Sequence, residues 1–104
     1  MFSAPEEYRL SIAMLDRDGE WSPLPSMDLA QHMGRDARRV IAGAERWRFG
    51  ETQVMLLSDG LEDLSVLACR VRPETQRAWV RLERRSVDGA SLDGAVFERD
   101  CLRD

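Results

Sequence analysis

The chain has 104 residues, of which 19 are acidic and 15 basic, giving a net charge of −4 near neutrality. That length supports one hydrophobic core and not two, so a single domain over residues 1–104 is expected. With 43% hydrophobic and 33% charged residues the composition excludes a disordered chain, and no apolar run approaches the roughly 20 residues that cross a bilayer. The stretch from Met1 to Tyr8 carries acids where a secretion signal needs bases, which points to the cytoplasm. All 15 basic residues are arginine, and asparagine is absent too. Codon usage in a GC-rich bacterial genome explains both gaps better than a selected property does.

Tyr8, Leu10, Ile12 and Met14 alternate with Arg9, Ser11 and Ala13, the period of two that marks a strand with one wet face. Asp16-Arg17-Asp18-Gly19 supplies turn chemistry, Glu20-Trp21-Ser22 predicts a short returning strand, and Pro23 and Pro25 stop it. From Ser26 to Trp47 the period becomes helical. Ala30, Met33, Ala37, Val40, Ala44 and Trp47, with Ile41, form a dry stripe, while Arg35, Arg39 and Arg46 gather opposite with Arg38 at their edge. Ser26 is placed to cap this helix and Asp28 to favour its first turn. Gly34 is its weakest point, with Asp36 available as a new cap.

Beyond Trp47 the pattern reads as extended: a strand from Thr52 to Ser58, a hairpin at Asp59-Gly60, a strand from Leu64 to Arg72, a turn from Pro73 to Gln76, and a strand from Arg77 to Val87 with Ala78, Val80 and Leu82 facing inward. Asp88-Gly89 and Asp93-Gly94 punctuate the end, and Ala95 to Leu102 fits either a short helix or an edge strand. The expected fold class is α+β: a two-layer sandwich in which one long amphipathic helix packs on one face of an antiparallel sheet of about four strands, in the order β-(β)-α-β-β-β. If Trp79, Leu67 and Val71 project from the other face, a second copy of the chain or a ligand would be needed to cover it.

Charge is laid out in blocks of alternating sign, which exposed intramolecular pairs satisfy at about 0 to 1 kcal/mol each. A sharper reading makes Arg35, Arg38, Arg39 and Arg46 a docking surface for an acidic protein segment, with Trp79 a further partner-binding candidate. Nucleic acid is a weaker partner, because the chain is acidic overall and carries no helix-turn-helix, RRM or KH signature. A pocket between helix and sheet lined by Met33, Trp47 and Met55 is the small-molecule alternative.

Catalytic inventory is thin. His32, the sole histidine, falls on the polar side of the helix; Glu62-Asp63 and Asp16 with Asp18 lie at predicted turns; no glycine-rich phosphate loop is present. Cys69 and Cys101 lack metal-type spacing and CxxC pairing, and an isolated pair in a cytosolic chain is expected to stay reduced. These features predict neither cofactor nor metal. The expected function is a non-enzymatic protein-protein interaction module of the adaptor, chaperone or inhibitor type, acting on another protein or as a homodimer, with no membrane partner.

Overall fold

The computed structural model describes residues 6–49, 51–86 and 88–102, the side chains of 49, 51–59 and 93 excepted. In chain order the elements are β1 (Glu6–Leu15), β2 (Trp21–Pro23), α1 (Ser26–Ala30), α2 (Arg35–Ile41), β3 (Arg48–Phe49), α3 (Glu51–Val71), β4 (Arg77–Ser86) and β5 (Ser91–Asp100). The fold is α+β, with an antiparallel sheet ordered β2-β1-β4-β5 and helices on one face. No helix among the described residues is long and apolar enough to cross a membrane.

The alternation along β1 and β4 sets the covered face. Tyr8, Leu10, Ile12 and Met14 of β1 are at most 4% exposed, and Ala78, Val80 and Leu82 of β4 are fully buried. Register pairs Leu10 with Leu82, Ile12 with Val80 and Met14 with Ala78, so these side chains share one surface. Against it pack Leu61, Leu64 and Ala68 of α3, Leu29 and Ala30 of α1, and Ile41 and Ala44 around the end of α2. The Asp16 carboxylate accepts the N–H groups of Asp18 and Glu20, each at 2.9 Å, and holds the predicted turn between β1 and β2. Where β1 lies between its β2 and β3 pairings, the Leu10 N–H donates to the Ala44 carbonyl at 2.8 Å, so the helical connector seals that edge.

The middle of the chain differs from its sequence reading. Residues 26–47 do not coil into one rod: α1 ends at Ala30, Gln31 to Met33 form a turn, and α2 starts after Gly34. The break falls at Gly34 as its low helix propensity predicts, but neither Ser26 nor Asp36 is a cap, since Pro25 and Gly34 hold the cap positions. Ser26 is buried instead; its hydroxyl and its N–H both donate to the Glu45 carboxylate, and the Gly43 N–H donates to its Oγ at 3.0 Å. Burial pushes the Glu45 carboxyl up, but the two Ser26 donors, its own backbone N–H and the Arg48 charge together hold it below its ordinary range. Gly43, at φ +74, ends α2, and the Arg48 guanidinium donates to the terminal carbonyls of Val40 and Ala42.

Residues 52–72 are not two strands joined by a hairpin. As far as Val71 they belong to α3, where Leu61, Leu64, Ser65 and Ala68 are buried at helical spacing and Gly60 sits inside the helix. Leu67 and Val71, expected on the far face of the sheet, lie on α3 and pack against the core. Asp93-Gly94 is a bulge and not a turn: Leu82 pairs with Ala95 and Arg84 with Leu92, so two residues of β5 oppose Glu83 alone. Gly94 is required there because a Cβ would overlap the Leu82 carbonyl oxygen. The undecided segment from Ala95 is strand.

The cysteines also depart from expectation. The end of α3 meets the end of β5 and brings Cys69 and Cys101 to a Cα separation of 5.3 Å, where they form a disulfide. Across a sequence separation of 32 residues such a link stabilises a fold by about 3 to 4 kcal/mol in the chain-entropy account. Arg99 ties the same two elements, donating to Ser65 Oγ at 2.8 Å and pairing with Glu62 at 3.4 Å.

Candidate functional site

The odd-numbered residues of β1 and β4 point away from the helices, onto a face that no described element covers. Register sets them in rows: Glu7 beside Arg85, Arg9 beside Glu83, Ser11 beside Arg81 and Val96, Ala13 beside Trp79 and Glu98, Leu15 beside Arg77 and Asp100. β2 extends the last two rows with Pro23 and Trp21.

The two ends of this face are chemically different. At one end Arg9 makes a bidentate pair with Glu83, both contacts 3.0 Å, and Arg81 approaches the same carboxylate at 3.8 Å. Arg85 pairs with Glu7 at 2.7 Å. Trp47 lies over this cluster, its ring centre 4.0 Å from the Arg85 guanidinium carbon and 4.6 Å from that of Arg9. The hydrogen bonds from Arg9 hold the Glu83 carboxyl below its ordinary range, against a smaller opposing effect of burial and with help from the charges of Arg9 and Arg81. A groove of about 450 Å³ runs from Trp47 and Arg9 to Leu92 and Val96.

The other end is apolar. Ala13, Trp21 and Trp79 line a shallow depression of about 390 Å³, rimmed by Glu98. Trp21 and Val96 are each 53% exposed, a large fraction for side chains of this kind. All three tryptophans of the chain therefore sit on the uncovered face, and the core is built without them.

Of the residues singled out in the sequence, Trp79 belongs to this face and the arginine group does not. Arg35 and Arg39 are exposed on α2 and Arg46 just beyond it; among the described residues none of the three enters an ion pair. Arg38 is occupied structurally, donating to the Ala30 and Met33 carbonyls at 3.1 and 3.3 Å and so fixing the turn between α1 and α2. The proposed pocket is not assembled. Met33 lines an apolar cleft of about 360 Å³ between α2 and α3 with Ala37, Val40, Leu64 and Leu67, Trp47 lies on the opposite face of the sheet, and the side chain of Met55 is outside the described residues. His32 is exposed in the turn after α1. Among the described residues no cluster of three or more His, Cys, Asp or Glu side chains is arranged to hold a metal ion.

Arg9, Arg81, Glu83 and Arg85 are not singled out by the sequence reading. The signal was present in the alternation that identified Ala78, Val80 and Leu82 as inward, because the intervening positions read Trp-Arg-Glu-Arg. Neither family models, curated proteins nor solved structures give a match to this chain.

Proposed function

We propose that this protein is a non-enzymatic protein-protein interaction module that holds its partner with the uncovered face of its sheet. The observation that supports this reading is the gathering of Trp21, Trp47 and Trp79 on one surface beside Arg9, Arg81 and Arg85. Tryptophan and arginine are the residues on which binding energy concentrates in protein interfaces, and tryptophan ordinarily goes to the core of a domain this small. The arginines are fixed in advance by Glu7 and Glu83, so a partner that covers them spends little entropy on ordering them. The groove beside Trp47 is lined by paired charges, a composition suited to a polar interface rim more than to a small-molecule pocket.

Photo-crosslinking from single positions tests the reading. p-Benzoylphenylalanine in place of Trp21 or Trp79 is expected to give a covalent protein adduct on irradiation in the native host, and the same probe at Arg35 none. Adducts from Arg35 with none from Trp21 and Trp79 would move the interaction to the arginines of α2.

Compartment and disulfide are linked. Joined cysteines are characteristic of oxidising surroundings, whereas the cytoplasm is reducing. Trapping free thiols with a maleimide in intact cells separates the two, since a pair that resists labelling marks an oxidising location and a doubly labelled one the cytoplasm.

A further inference from the structure

We infer that the occupant of the uncovered face is a second copy of this chain, packed sheet against sheet about a two-fold axis. The inference rests on the protein-binding reading of that face and names its partner. Charge balance is the first reason. The apolar end is bordered by Arg77, Arg81, Glu98 and Asp100, two cations and two anions, so two copies of it meet without net repulsion. Arg77 and Glu98 approach only to 3.8 Å and both side chains are 51% exposed, which leaves each able to pair across the axis instead. The arginines of α2 have no such balance and cannot face themselves.

Size is the second reason. Three ten-residue strands about 4.8 Å apart and about 34 Å long, with the three residues of β2 beside them, offer roughly 540 Å² of footprint, about two thirds of the ~800 Å² per partner of a standard stable interface before Trp47 and the Gly89 to Leu92 rim are added. The third is that the edges of the sheet are defended. β5 carries the Gly94 bulge and then Glu98, Arg99 and Asp100, while β2 is three residues long and ends in Pro23, so edge-to-edge pairing is poorly supported. Face-to-face packing gives four layers, helices outside and two sheets about 10 Å apart, with the depression beside Ala13 and Trp79 seating an indole of the other copy.

Sedimentation equilibrium across the micromolar range tests this on the full chain, alongside the tryptophan emission of the same samples. The wild type is expected to run at twice the chain mass, with emission shifting to the blue as concentration rises. Trp79→Glu and Trp21→Glu are each expected to weaken association at least about tenfold, and Arg35→Glu to leave it unchanged. Circular dichroism checks that each variant is folded. If Trp79→Glu is not, Trp21→Glu and Val96→Glu decide, since both replaced side chains are half exposed. A wild type that stays monomeric throughout overturns self-association, and crosslinks to a different protein from position 21 or 79 would then leave the protein-binding reading standing. A dimer that survives Trp21→Glu and Val96→Glu in folded protein overturns the face as its interface.

Discussion

Along β4, Ala78, Val80 and Leu82 turn toward α3 and are fully buried, while Trp79, Arg81, Glu83 and Arg85 turn the other way. The two sets alternate in one strand and share its backbone hydrogen bonds, yet they answer to different demands. The covered face is mostly aliphatic and packs in one core with residues of α3 and α1, so removing volume there leaves a hole. The uncovered face holds the three tryptophans and the ion pairs of Arg9 with Glu83 and Arg85 with Glu7, where loss of a group is met by water. A strand can thus place its contribution to stability on one side and leave the other, under the reading proposed above, to a partner.

The widest separation between the two faces is expected from truncating one side chain on each. Leu82→Ala, at a site with no solvent exposure, should lose about 2 to 5 kcal/mol in urea denaturation. Trp21→Ala, half exposed, should change monomer stability by only about 0.5 kcal/mol. Equal losses at the two sites would break the comparison. Gly60→Ala examines what covers the inner face: nothing lies within 4 Å of a Cβ built there, so a helix gains about 1 kcal/mol and the melting temperature rises. A hairpin at Asp59-Gly60 would respond in the opposite direction.

A smaller effect than at Leu82 belongs to the ion pairs of the uncovered face. Because the Glu83 carboxyl is held below its unfolded value by Arg9, its contribution is present above the unfolded pKa of about 4.3 and is lost as pH falls through the folded value. Glu83→Gln should therefore lie below wild type by about 1 kcal/mol or less at neutral pH and converge with it once the pH falls below the folded value, as followed by thermal melts through the acid range. A constant offset at all pH values would mean that the side chain acts through packing and not through its charge.

The strands were legible in the sequence wherever one face was apolar, as in Tyr8 to Met14 and Ala78 to Leu82, because a period of two has no helical equivalent. α3 was hidden for two reasons. Its runs of adjacent apolar residues satisfy either period, and one core position is held by Ser65, a polar residue made tolerable by donating to the Glu62 carbonyl and accepting from Arg99. Between Ser26 and Trp47 the apolar period continues through a break that Gly34 permits and that the contacts of Ser26 with Glu45, and of Arg38 with Ala30, hold in place. The first joins residues 19 apart in the chain, and both depend on side chains that reach across the break, which apolar periodicity does not register. At the candidate site, Trp79 was legible by alternation, while Trp21 and Trp47 acquire their common surface only when β2 and the segment before β3 flank β1.

The bond between Cys69 and Cys101 closes a covalent ring containing the last turn of α3, all of β4 and all of β5. A protease that cuts inside the ring, at the Asp88-Gly89 turn for example, would leave fragments that migrate as one species on a gel until a reductant is added. Mechanical load behaves accordingly: a pull on the C-terminal end is passed to the helix at Cys69, so β5 cannot be peeled from the sheet one residue at a time.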